Sequence, residues 1–122
     1  MGTFRVSGVV QNHANPKRSA RVRSLLVDTG SDFTWVPGAV LRKIGVAEQK
    51  RGLSFTMANG QIVTRSVGFA IIRVDGHFTI DEVVFAHPGD LCLLGARTLE
   101  GLNLRVDAKN KKLVAGGPLL AG

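Results

Sequence analysis

Apolar and polar residues alternate along much of the chain, and the alternation is punctuated by Gly, Pro, Asn-Gly and Asp-Gly. A period of two is the mark of strands buried on one face. Thr3 to Gln11, with Phe4, Val6, Val9 and Val10, reads as a strand. Asn12 to Arg18, which holds Pro16, reads as a loop, and Ala20 to Val27 returns as a second strand. Trp35-Val36-Pro37 is extended, because the residue before proline is pushed out of the helical region. Pro37 then opens a short helix, Gly38 to Ile44, stopped by Gly45. Leu53 to Met57 and Gln61 to Val67 read as strands around Ala58-Asn59-Gly60, since Asn and Gly both tolerate the positive φ of a tight hairpin. Gly68 to Val74 continues the second of these, Asp75-Gly76 makes another tight turn, and His77 to Phe85 returns. Leu91 to Leu94 reads as a short buried strand ending at Gly95, and Ala96 to Glu100 as a helical turn closed by Gly101. Leu102 to Val106 and Lys112 to Val114 form a last hairpin around Asp107 to Lys111. The sum is an all-β fold, a small closed barrel with one or two short helices.

A faint repeat runs through this pattern. Leu25-Leu26-Val27-Asp28-Thr29-Gly30, followed by Val40 to Gly45, is echoed by Leu91-Cys92-Leu93-Leu94-Gly95, followed by Leu99 to Leu102. Each half runs buried strand, glycine turn, short helix, glycine stop, which predicts a pseudo-two-fold symmetry inside the chain. Only the first copy carries a carboxylate.

Length and composition narrow the picture. The chain has 122 residues, enough for one domain with a modest core. It is 44% hydrophobic and 20% charged, which fits a globular rather than a disordered chain. Residues 1–115 are expected to form the domain and residues 116–122, Gly116-Gly117-Pro118 to Gly122, a flexible C-terminal tail. No apolar run approaches the length of a membrane span, so no membrane partner is expected. The first residues, Met1 to Arg5, lack the long apolar stretch of a secretory signal. Cys92, the single cysteine, sits in an apolar run and reads as a small core residue. With no disulfide possible inside one chain, a reducing, cytoplasmic setting is expected.

The net charge of +7 raises the question of a nucleic-acid partner. The charges form separate local runs, at Lys17 to Arg23, Arg42 to Arg51 and Lys109 to Lys112. Aromatic residues make up only 6% of the chain and do not interleave with them, so no stacking platform for a single strand is visible. A solvated basic surface is the simpler reading, and it argues against a nucleic-acid partner. His13, His77 and His87 lie far apart with no ligand spacing, so no metal is implied. Asp81-Glu82 is an acidic pair with no identifiable counterpart.

The candidate chemistry lies in Asp28-Thr29-Gly30-Ser31-Asp32, launched from Leu25-Leu26-Val27. Asp-x-Gly is common turn chemistry, so the tripeptide alone is a weak signal. A carboxylate driven out of a buried strand is costlier to build, because burying an unpaired charge costs several kcal/mol, and such a group usually has a use.

The segment Leu25 to Ser31 resembles the active-site strand and turn of aspartic proteases. Asp28 to Pro37, with its Trp35-Val36-Pro37, is similar to the first lobe of pepsin-like enzymes. The chain length, the single Asp-Thr-Gly and Leu93-Leu94-Gly95 before a helical turn resemble the single-lobe retropepsin type, and Ala58-Asn59-Gly60 is similar to the flap of bacterial single-lobe relatives. The resemblance runs from about Phe4 to Val114. It implies one lobe of an acid-protease barrel and a homodimer in which each chain supplies one catalytic Asp28. It implies that Thr29 bonds across the dimer axis and that Gly30 lets the backbone approach the substrate. By the same likeness Ser31 bonds the outer oxygen of Asp28, and Asp32 meets the substrate backbone. The hairpin tip Ala58-Asn59-Gly60 becomes the flap over an extended peptide bound as an added strand. No cofactor and no metal are implied.

The chain also departs from the family pattern. Retroviral enzymes carry Arg directly after the glycine where this chain has Ala96, with Arg97 one place later, so an Asp32–Arg97 pair does not follow from the resemblance. There is no Tyr to serve as a pepsin-type flap residue. Two function classes stay open on the residues: an aspartic endopeptidase, and a protease-fold module of weak or no activity that acts in dimerisation or protein binding. A basic nucleic-acid binder on a small barrel is a weaker third.

Overall fold

The computed structural model describes residues 3–122. The hairpin β1 (Arg5–Gln11) and β2 (Ser19–Val27) is followed by β3 (Thr34–Pro37) and helix α1 (Gly38–Lys43). Strands β4 (Lys50–Thr56), β5 (Ile62–Val74) and β6 (His77–Ala86) form a meander. The short β7 (Leu93–Leu94), helix α2 (Ala96–Leu102) and the hairpin β8 (Leu104–Asp107) and β9 (Lys112–Ala115) complete the chain. Residues 116–122 carry no helix or strand, and Asn103 Nδ2 donates to the Gly117 carbonyl at 2.9 Å. No helix among the described residues is long and apolar enough to cross a membrane.

Seven strands share one sheet in the order β1-β2-β7-β3-β6-β5-β4. Strand β1 also pairs with β5, through Val9↔Arg73 and Gln11↔Ile71, so the sheet closes into a ring that is not a regular barrel, and β4 hangs on β5 outside it. Alternation along the strands places Val10, Val22, Leu25, Ile72 and Phe85 inside the ring, where Leu41 of α1 and Leu99 of α2 also pack. Burying such a side chain contributes about 1.5–3 kcal/mol, which is why the period-two pattern is decisive. A second cluster of Trp35, Val67, Val84 and Leu93 lies apart from this core, with Phe33, Phe55 and Met57 packed on it.

The ring has the expected pseudo-two-fold arrangement, but not through the echo seen in the sequence. Strand β2 runs parallel to β7, and β6 runs parallel to β3, while β3 and β7 cross antiparallel at Trp35↔Leu93. Each of β3 and β7 is followed at once by a helix. The topological counterpart of β7 is therefore β3, whereas the echo matched Leu91–Leu94 to the strand that carries Asp28.

Three local expectations are corrected. Helix α2 does not close at Gly101 but runs to Leu102, and Asn103 caps it in the left-handed conformation (φ 53°). Gly101 serves close packing instead, because a Cβ there would lie 2.5 Å from Thr79 Oγ1. Leu91 is 56% exposed, and the buried strand is only Leu93–Leu94. At Ala58-Asn59-Gly60 only Gly60 takes positive φ (83°). Gly60 N–H donates to Met57 O at 2.9 Å and Met57 N–H to Gln61 O at 2.8 Å, the pattern of a three-residue loop with a glycine bulge. Asp75 and Gly76 both take positive φ (51° and 79°), as a two-residue turn needs.

Candidate active site

Asp28 leaves the end of β2 where that strand lies parallel to β7, in register Leu26↔Leu93 and Val27↔Leu94. Leu25 and Val27 are buried beneath it, so the strand is fixed by its apolar face. The Asp28 N–H donates to Leu94 O at 3.0 Å, and its carboxylate Oδ1 accepts the Gly30 N–H at 2.9 Å. The carboxylate thus turns the chain back on itself, and a Cβ on Gly30 would lie 3.2 Å from Asp28 Oδ1. Further along, Ser31 O accepts the Ala96 N–H at 2.7 Å and Asp32 O accepts the Arg97 N–H at 3.1 Å. The loop Asp28–Phe33 is therefore laid along the segment 94–97 by backbone bonds.

Above this loop opens a cleft of about 510 Å³. Asp28, Gly30, Ser31 and Asp32 line one side, and Ala58 belongs to the facing hairpin. Thr29, Asn59 and Gly60 are exposed and outside its lining. Apart from Ser54 and Thr56 of β4, the rest of the wall is apolar: Phe33, Trp35, Phe55, Met57, Leu91 and Leu93. Phe55 of β4 meets Phe33 edge-on at 5.5 Å between centroids and Trp35 at 5.3 Å. These edge contacts join the hairpin strand to the Asp28 loop. The apolar wall escaped the sequence reading. Its only signal was that Leu53, Phe55 and Met57 share one face of β4 at period two.

Ser31 Oγ donates to Phe33 O at 2.9 Å, so within the chain it braces the loop rather than the outer oxygen of Asp28. Arg97 reaches Glu82 Oε1 at 3.2 Å and lies 4.8 Å over the Phe33 ring, and it forms no ion pair with Asp32. Glu82 also takes Lys50 of β4 at 2.9 Å. The hydrogen bond from Lys50, with help from Arg97, holds the Glu82 carboxyl below its usual range. Glu82 of the acidic pair thus finds a counterpart in two cations brought from distant parts of the sequence, whereas Asp81 accepts from Thr98 Oγ1 and the Glu82 N–H.

A second ion pair fixes the hairpin base. Arg65 of β5 donates to both oxygens of Asp90, through Nε at 2.8 Å and Nη2 at 2.9 Å, and the His87 N–H adds a third bond to Asp90 at 2.8 Å. Both side chains are largely buried, at 12% and 14% exposure. The Arg65 guanidinium holds the Asp90 carboxyl below its usual range, and Asp90 raises Arg65 in turn. Asp90 precedes Leu91 and Leu93, so the pair ties the hairpin to the far wall of the cleft. Cys92, between those leucines, is half-buried, and burial pushes its thiol up, which suits packing rather than nucleophilic chemistry.

A ring of β-strands with two short helices, a carboxylate on a tight turn and a hairpin across a cleft describes one lobe of an acid-protease fold. Residues 17–98 match the family described as aspartyl protease, and the chain belongs to that family, in its retropepsin-like branch. No individual curated protein matches the chain.

Proposed function

We propose that this chain is an aspartic endopeptidase that hydrolyses peptide bonds as a homodimer, with Asp28 of each copy forming one catalytic dyad. The observation that carries this reading is the placement of Asp28, on a backbone-braced turn at the floor of an apolar cleft, in an aspartyl protease chain with a single Asp-Thr-Gly. One carboxylate cannot be both base and acid at the same moment, so a second copy is required. A two-fold axis passing beside Asp28 brings two carboxylates together, and exposed Thr29, whose hydroxyl bonds no described residue, is free to bond across that axis.

Electrostatics then sets the chemistry. Two carboxylates about 3 Å apart repel by about 5 kcal/mol at an effective dielectric near 20, so the pair holds one proton between them. Aspartic proteases are themselves a standard example of such a shared proton. The ionised member takes a proton from water as its oxygen attacks the scissile carbonyl carbon. The protonated member gives its proton to the carbonyl oxygen, and a tetrahedral diol forms. A proton then passes to the amide nitrogen, the C–N bond breaks, and a carboxylic acid and an amine leave. The substrate lies extended between the Asp28 loop and the hairpin tip Ala58-Asn59-Gly60, which acts as the flap, with Gly30, Ser31 and Asp32 meeting its backbone. Phe33, Phe55 and Leu91 receive a side chain.

Cleavage of a peptide library at about pH 4–6, with and without pepstatin, tests the reading on wild type and Asp28→Asn. Wild type is expected to cleave and to be inhibited, and Asp28→Asn to be inactive while still folded. Equal cleavage by both proteins would sink the dyad. No cleavage by either would favour a protease-fold module that binds without catalysis.

A further inference from the structure

Thr34 and Thr98 are buried polar residues, each at 0% exposure, and their hydroxyl oxygens lie 2.6 Å apart although the residues are 64 positions apart in sequence. Thr98 Oγ1 also lies 3.0 Å from Asp81 Oδ2, and Thr34 Oγ1 accepts the Gly95 N–H at 3.0 Å. An ionised carboxylate only accepts, so the single hydroxyl proton of Thr98 points at Asp81. The short contact must then be donated by Thr34, whose proton is committed to Thr98. The chain of bonds has one direction: Gly95 N–H to Thr34, Thr34 to Thr98, Thr98 to Asp81. Asp81 is itself oriented by the Glu82 N–H, which donates to Oδ1 at 2.7 Å.

The upstream end of this chain bears on the catalytic loop. Gly95 stands between Leu94 and Ala96, whose backbone groups bond Asp28 and Ser31. A Cβ on Gly95 would lie 2.4 Å from Phe33 O and 2.9 Å from Asp32 O, so the loop rests on this residue without slack. Remove the acceptor for the Thr34 proton, and a hydroxyl that is fully buried has nowhere to donate. With that proton unpaired the Thr34 side chain is no longer held in place, and the bond by which its oxygen accepts the Gly95 N–H is weakened.

We infer that Thr98 and Asp81 are positioning residues for Asp28: they set the direction of a buried hydroxyl chain that clamps Gly95, the bed of the Asp28–Phe33 loop. This rests on the reading of Asp28 as catalytic, but the clamp has a readout of its own. Amide hydrogen exchange by NMR on the full chain reports it at Gly95 and Asp28, with Ile72 in the core as the reference. In Thr98→Val, exchange at Gly95 and Asp28 is expected to speed up by about tenfold or more relative to Ile72, the loss of one hydrogen bond. Peptide cleavage should show kcat reduced about 10- to 100-fold at unchanged KM, as expected for misplacement of a reacting group. Thr98→Ser, which keeps the hydroxyl, should restore both. If Thr98→Val does not fold, Asp81→Ala at a half-buried position carries the same expectation for Gly95. Unchanged Gly95 exchange in the folded variant, or Thr98→Ser behaving like Thr98→Val, overturns the clamp. Fast Gly95 exchange in the variant of a protein that never cleaves peptide would support the clamp and count against the protease reading instead.

Discussion

Gly95 and Gly101 are both glycines for want of space rather than for want of conformational freedom. Neither takes positive φ, yet a Cβ on Gly95 would meet Phe33 O at 2.4 Å and one on Gly101 would meet Thr79 Oγ1 at 2.5 Å. The first obstacle is backbone and cannot swing aside, while the second is the tip of a side chain. Gly95→Ala is therefore expected to cost about 2–3 kcal/mol and Gly101→Ala less, as measured by thermal or urea unfolding. Equal losses would mean that the loop above Gly95 yields as easily as Thr79. This difference also explains why the end of α2 was misread. A glycine near the end of a helical stretch looks like a stop, whereas here Asn103 takes the left-handed position and Gly101 is claimed by packing across from β6. Spatial neighbours of a glycine leave no mark in its local sequence. Gly45, where positive φ (79°) does end α1, was legible for that reason.

At the scale of elements, strands and hairpins were largely readable because period-two burial and turn residues are local. Their partners were not. Nothing in the sequence around Arg65 announces Asp90, and Glu82 meets Lys50 and Arg97 only after β4, β6 and α2 converge. Asp90→Ala would leave the largely buried Arg65 unpaired and is expected to cost about 3 kcal/mol in unfolding free energy. The pair also sets an acid limit. The Asp90 carboxyl is held below its usual range by Arg65, so its contribution is fully present above the unfolded carboxylate value of about 4. It is lost as pH falls through the lower folded value, and the same sign applies to Glu82. The acid limb of a stability–pH curve should be shallower in Asp90→Asn than in wild type, below about pH 4. An unchanged limb would mean that other carboxylates carry the acid sensitivity. The window lies at the lower edge of the pH range of the proposed cleavage assay, so the hairpin base stays tied over most of that range.

At the scale of the molecule, one closed ring of strands carries the Asp28 loop, the cleft and the hairpin together. The ring closes through β1 and β5, the Asp28 loop is sewn to the segment 94–97, and the hairpin leans over a cleft walled by Phe33, Phe55 and Leu91. The carboxylate and its strand were visible in the sequence because a charge after Leu25-Leu26-Val27 is chemically awkward. The apolar wall was not, because it is assembled from three separate stretches. The proposed dyad needs a second Asp28, from another copy of the chain, and that need predicts how activity scales with concentration. The direct measurement is the initial rate of peptide cleavage as chain concentration is lowered through the dimer dissociation range, with mass followed by light scattering. The account predicts that the rate falls with the square of chain concentration where monomer dominates, and that added Asp28→Asn chain lowers wild-type activity by forming mixed dimers. A rate strictly proportional to concentration in a protein shown to be monomeric would contradict it.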